Sequence, residues 1–193
     1  VLAGRRRSFG NLEGAPAAEE GLASLAHWVG GQFDPSLTWD DVDWVRSIWP
    51  GKLVIKGLLD ERDAREAVER GADAIVVSNH GGRQLDGASS SIAALPGIVQ
   101  AVGGATEVLF DGGIRSGQDI LKALALGAKA CMIGRAYLYA LASGGQSRVE
   151  EMLGLLGKEL DTSMALTGVH DVKTVSPETL LRRSDGSLVG HDH

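Results

Sequence analysis

Ser78-Asn79-His80-Gly81-Gly82-Arg83-Gln84-Leu85-Asp86-Gly87 follows directly on the apolar run Ala74-Ile75-Val76-Val77. A strand end is a rigid platform, and the paired glycines let the backbone pass close to a bound ring. His80 is placed to act as a base near neutral pH, while Arg83 offers a planar fork to a carboxylate. A base beside a carboxylate anchor suits chemistry on a small acid. The same run also reads as a βα turn in which His80 caps a helix and Arg83 is solvated. Its surroundings decide between the two.

Four short apolar runs recur along the chain: Leu53-Val54-Ile55, Ala74–Val77, Val108-Leu109-Phe110 and Ala130–Ile133. Each is apolar on both faces, as a buried parallel strand should be. Helical patterns separate them. Glu61–Arg70 ends at Gly71, Ser90–Val102 is interrupted by Pro96, and Ser116–Leu126 has a serine cap, Asp119 in its first turn and Gly127 beyond its end. This alternation predicts βα units around a parallel sheet, in a doubly wound sheet or a barrel. Flanking helices are predicted at Thr38–Trp49 and Gln146–Leu166, and the polar tail Ser184–His193 is expected to be mobile. His191 and His193 read there as frayed tail rather than metal ligands.

A second chemical signal is Asp111-Gly112-Gly113-Ile114-Arg115-Ser116-Gly117 after the third run, followed by Gly134-Arg135 after the fourth. Glycine turns with arginines on successive strands suit a phosphate, held by backbone N–H groups, a helix N-terminus and charge-assisted bonds from Arg115 and Arg135. Glycine C-caps with surface arginines are the bland reading. Lys56 ends the first run, where a lysine inside an apolar core would be costly. Each strand thus delivers a polar residue at its C-terminal end: Lys56, His80, Asp111 and Arg135. Parallel α/β folds carry their active sites at that edge.

Composition sets the bounds. With 193 residues, 44% hydrophobic and 23% charged, the chain is long enough for one sizeable core. A net charge of −6 argues against a nucleic-acid-binding face. Arg5-Arg6-Arg7 reads as a solvated loop, with phosphate or membrane contact the lesser reading. The lone Cys131 excludes an internal disulfide and is expected in the core. Without a signal peptide or a run of about 18 apolar residues, a cytosolic chain with no membrane span is expected.

Lys52–Leu59, Ser78–Gly87, Asp111–Gly127 and Ile133–Leu141 resemble the flavin-dependent 2-hydroxy acid oxidases and dehydrogenases, which include glycolate oxidase, L-lactate dehydrogenases and mandelate dehydrogenase. The resemblance extends from about Asn11 to Leu181. Phe33-Asp34-Pro35-Ser36 and the helix after it are most similar to the respiratory L-lactate dehydrogenases, with mandelate-type enzymes next. The resemblance implies FMN as cofactor, and no Gly-x-Gly-x-x-Gly follows the first strand to hold a dinucleotide pyrophosphate. It implies that Lys56 lies near flavin N1 and O2, and that Ser78 hydrogen-bonds the flavin. His80 would be the proton acceptor and Arg83 the partner of the substrate carboxylate. Asp111, Gly112, Gly113, Arg115, Gly134 and Arg135 would bind the ribityl phosphate. The implied reaction is oxidation of an L-2-hydroxy acid, lactate first and mandelate next, to the 2-keto acid.

The implied fold is a (β/α)₈ barrel, of which this chain supplies strands five to eight and the C-terminal helices. Members of that family are roughly twice this length, as a whole barrel of about 250 residues or more requires. Residues 1–37 then read as the end of a long loop plus a helix, 38–183 as βα units and terminal helices, and 184–193 as tail. The N-terminal half is expected as a separate polypeptide or segment, or replaced by a second copy of this half. A homo-oligomer, tetrameric by resemblance, and peripheral contact at the inner face of a membrane are further expectations. Two other readings stand beside this one. One is a phosphate-binding barrel of the inosine-monophosphate dehydrogenase type, which would need a loop cysteine; the other is a half-barrel fragment without turnover.

Overall fold

A computed structural model describes residues 22–180. The readings of Arg5-Arg6-Arg7, of the loop before residue 22 and of the tail with His191 and His193 fall outside the described residues. The chain divides into two compact units between Trp44 and Val45. The first holds α1 (Leu22–Gly30) and the opening of α2 (Trp39–Ile48); all the strands belong to the second.

The second unit is built on β1 (Val54–Leu58), β2 (Ala74–Val77), β3 (Glu107–Asp111) and β4 (Ala130–Met132), all parallel, in the order β1-β2-β3-β4. Between them run α3 (Glu61–Glu69), α4 (Ser91–Val102) and α5 (Gly117–Ala125); α6 (Arg135–Gly144) and α7 (Gln146–Leu166) follow. Local chemistry sets these bounds. Asp60 caps α3 by accepting the Arg62 N–H at 2.8 Å, and Ser90 and Ser116 cap α4 and α5. Pro96 does not interrupt α4. It removes one N–H, yet the helix carries on to Val102 because its apolar face, Leu95, Ile98 and Val102, is buried.

The core sits around the middle strands. Ile75 and Val77 expose no surface, Val76 only 2% and Phe110 1%, and Leu95 and Ile98 of α4 are equally buried. Full burial of such side chains stabilises by about 1.5–3 kcal/mol each. The expectation that all four strands are buried on both faces holds for β2 alone. The edge strands β1 and β4 expose Val54 and Met132, and Cys131 is half-buried rather than a core residue. An edge strand has a neighbour on one side only, so apolar composition alone cannot bury it.

Away from the site, Asp73 ties the start of β2 to the segment before β1. Its carboxylate accepts from Lys52 Nζ at 2.7 Å, the Leu53 N–H at 2.9 Å and Arg46 Nη1 at 3.0 Å. Lys52 first, then the Leu53 amide, hold the Asp73 carboxyl at about 2 instead of 3.8. A folded-state value below the unfolded one gives stability that is complete above 3.8 and is lost as pH falls through about 2. Asp73→Asn is therefore expected to lower the melting temperature at neutral pH, with the deficit shrinking across that acid window. Thermal melts at graded pH check this; a deficit constant throughout the window refutes the clamp.

Candidate active site

The site forms where the C-terminal ends of the four strands meet the loops that follow them. β1 does not stop at Lys56 as read from the sequence. It continues to Leu58 through an irregularity in its register with β2 between Lys56 and Leu58, where Gly57 takes φ +105°. Lys56 is thus an interior residue of a bulged strand rather than its last one. Its ammonium donates to Ser78 Oγ at 2.8 Å and pairs with Asp111 Oδ2 at 2.7 Å, stitching together the ends of β1, β2 and β3.

Ser78 exposes no surface. Its hydroxyl accepts from Lys56 and from the backbone N–H of His80 at 3.0 Å. Ser78 holds Lys56 and His80, both of which face the cleft, from beneath. His80 takes φ +55°, in the left-handed region that a non-glycine residue rarely adopts, and Gly81 and Gly82 continue in it at +69° and +71°. Such a conformation costs on the order of 1 kcal/mol or more and persists only where neighbours over-determine it. The Ser78 bond is one such neighbour. Arg135 is another, donating through Nη2 to the Gly81 carbonyl at 3.2 Å.

Lys56, His80, Arg83, Asp111, Arg115 and Arg135 line one cleft of about 550 Å³, together with Gly112, Gly113 and Gly134. Every residue singled out from the sequence except Ser78 is therefore brought to one cavity. Among the described residues Arg83 has no ion-pair or hydrogen-bond partner, so its guanidinium is open to an incoming carboxylate. Asp111 is not open in that sense, being paired with Lys56.

The two helix starts beside the cleft differ. That of α5 is already satisfied: Asp119 Oδ2 accepts the N–H groups of Arg115 and Ser116, and Glu159 Oε2 accepts that of Gly117 at 2.8 Å. Protein carboxylates therefore hold the N–H groups of Arg115, Ser116 and Gly117. At α6 the N-cap is Gly134, which brings no side chain to the first-turn N–H groups. Nothing stands within 4 Å of where a Cβ on Gly113 or Gly134 would lie, so a ligand can come close to the backbone there. Arg115 and Lys56 line the same cleft as this open helix start, which makes it a candidate anion seat.

Gly57 and the apolar wall of Met132, Leu138 and Tyr139 were not read from the sequence as parts of the site. A glycine inside a strand was the available signal for Gly57. For the wall there was none, since Leu138 and Tyr139 lie within an ordinary helical pattern. Cys131 lies in β4, and burial, with Asp119 adding to it, pushes its thiol up to about 12. A thiol so held is protonated and a poor nucleophile at neutral pH, unlike the loop cysteine that the inosine-monophosphate dehydrogenase reading requires.

Residues 3–182 match the family model described as FMN-dependent dehydrogenase. An L-lactate dehydrogenase from Xanthomonas euvesicatoria is 51% identical over 181 residues, which cover 94% of this chain and 47% of that protein. The chain thus spans about half the length of the curated relatives it matches. A solved mandelate oxidase variant with the monooxide FMN adduct is 51% identical, with a TM-score of 0.71 over 75% of this chain and 46% of that one. The solved structure of a monotopic membrane protein, (S)-mandelate dehydrogenase, is 44% identical, with a TM-score of 0.78 over 83% of this chain and 43% of that one.

Proposed function

Since this chain belongs to the FMN-dependent dehydrogenases, we propose that it supplies the base, the carboxylate anchor and the phosphate seat of an enzyme that oxidises an L-2-hydroxy acid to the 2-keto acid. The observation that carries this is the single cleft on which His80, Arg83, Lys56 and the Gly134 helix start converge. The fit to FMN rests on the same features: one open helix start for one terminal phosphate, glycines a ligand can approach, and cations around them. Gly113, Gly134, Arg115 and Lys56 would hold it, and Arg135 would act by fixing the Gly81 turn. FMN, when bound, is the two-electron acceptor of the family.

Arg83 binds and orients the substrate carboxylate through its fork, and His80 takes the proton released from the substrate. Lys56, with its charge partly balanced by Asp111, favours negative charge developing at its side of the cleft. Met132, Leu138 and Tyr139 give the same cleft an apolar side. Lactate is the first substrate proposed, on the identity to the lactate dehydrogenases, and mandelate the second, on the solved relatives. The test is the visible spectrum of the purified full-length protein under anaerobic conditions. Flavin bands that bleach with L-lactate or (S)-mandelate, and not with the D-acids, are expected. A protein without flavin, or a flavin that no L-2-hydroxy acid bleaches, overturns the reading.

In that full-length protein Arg83→Lys is expected to raise KM about tenfold or more and to lower kcat, because an ammonium cannot reproduce a bidentate fork. Steady-state kinetics check it; an unchanged KM removes Arg83 from the substrate site.

The open edges at β1 and β4, with the half-length match to relatives, support a further part of the proposal: four more strands close the sheet into an eight-stranded barrel. Expressed alone, residues 1–193 are then expected to lose tight FMN binding and to self-associate, as size-exclusion chromatography and flavin titration would show. A monomer that holds FMN tightly and turns over lactate refutes the need for the remainder. Homo-oligomeric assembly of complete barrels belongs to the same proposal and is tested by light scattering. Among the described residues no helix is long and apolar enough to cross a membrane. The kinship with a monotopic membrane protein supports peripheral membrane contact, testable by vesicle co-sedimentation.

A further inference from the structure

The imidazole of His80 lies directly over Gly57. A Cβ added to Gly57 would come within 2.6 Å of His80 Cε1 and 3.5 Å of both ring nitrogens. No real Cβ makes the first of these contacts, so the ring occupies space that only a glycine leaves open. Gly57 is also the residue at which β1 slips its register with β2, at φ +105°, one position after the lysine that donates to Ser78. Ser78 in turn accepts the His80 N–H. The backbone of His80 is therefore held by Ser78, which Lys56 binds, and its ring is seated over Gly57, with Lys56 and Gly57 neighbours in the same bulge of β1.

We infer that Gly57 is a positioning residue for His80: the bulge it permits in β1 gives the imidazole its seat and holds it toward the cleft. The inference rests on the reading of His80 as the base only for its effect on turnover; the contact itself does not depend on that reading. Any side chain at position 57 would tilt the ring off its seat, and a displacement of about 1 Å at a reacting group can cost on the order of 10²-fold in rate. Gly57 is not itself among the residues lining the cleft, so cofactor affinity should change little.

The test is a double-mutant cycle in the full-length FMN protein with Gly57→Ala, His80→Ala and the pair. Gly57→Ala alone is expected to lower kcat about 10²-fold with KM and FMN affinity within about threefold of the parent, and to displace the Cε1–H resonance of His80. In the His80→Ala background the same change should cost no further activity. Its cost in melting temperature should also be smaller there by roughly 2–4 °C or more. The left-handed backbone penalty at position 57 is present in both backgrounds and cancels from the cycle, leaving the ring contact. If Gly57→Ala alone fails to fold, recovery of folding in the pair supports the inference, and failure of both overturns it. Additive losses in rate and melting temperature, or an unmoved His80 resonance, also overturn it while leaving the base assignment standing. Should His80→Ala prove fully active, the base assignment fails, and the melting-temperature cycle alone decides the role of Gly57.

Discussion

Replacing His80 by alanine in the full-length protein is expected to leave FMN bound and to slow bleaching of the flavin by L-lactate at least about 10²-fold, the usual cost of losing a general base. The reasons are geometric. His80 lies on the cleft that also holds Arg83, and its backbone is kept in the left-handed region by the Ser78 bond. The proposed phosphate seat draws on α6 and the turn after β3, not on the imidazole, so cofactor retention should survive the change. Relief of the His80 backbone strain does not occur in the alanine variant, which has a Cβ of its own, so the melting temperature should move little. Stopped-flow absorbance after mixing with lactate measures the step directly. Near-normal bleaching would remove His80 from the mechanism.

The largest stability effect is expected at Gly117, the first residue of α5. A Cβ there would stand 2.0 Å from the backbone nitrogen of Leu160 and 2.4 Å from the carbonyl carbon of Glu159. Both are backbone atoms of α7, so no rotamer change relieves the clash, and α5 must move away from α7. The movement would also break the bond from the Gly117 N–H to Glu159 at 2.8 Å. Overpacking against a fixed partner costs about 3 kcal/mol at the upper end of the usual range, or roughly 6–12 °C in melting temperature. Gly154 and Gly157 of the same α7 provide the control. Nothing stands within 4 Å of a Cβ at either, and alanine there should stabilise by about 0.5–1 kcal/mol through helix propensity. Thermal melts of the three single variants check both signs. A Gly117→Ala protein as stable as its parent would mean that the α5–α7 contact is looser than described.

Local signals carried much of the architecture. Asp60, Ser90 and Ser116 each sit at the N-cap of a helix, and α7 runs from Gln146 to Leu166 as its apolar pattern indicates. The candidate site residues that line the cleft were legible because parallel sheets place functional groups at strand ends, and Lys56, His80, Asp111 and Arg135 stand at or beyond the ends of apolar runs. What could not be read was how those groups treat one another. The pairing of Lys56 with Asp111, the burial of Ser78 and the capture of the Gly117 amide by Glu159 depend on register and on helix packing between residues far apart in sequence. The bulge at Gly57 is of the same kind. Its glycine is visible in the sequence, but the ring that lies over it comes from the next strand's turn.

Every connection between successive strands of the described sheet passes through a helix, so β1 and β4 are whole strands and neither is one arm of a cut hairpin. A version of the proposed enzyme supplied as two polypeptides divided at such a boundary would reassemble by sideways docking of intact strands, with no strand to be threaded. Flavin capture would then become second order in the pieces, fast when they are tethered to interacting proteins and slow when they are not. If the sheet closes on a neighbour as proposed, it is thereby suited to report proximity, with the bleaching of a coloured cofactor as its signal.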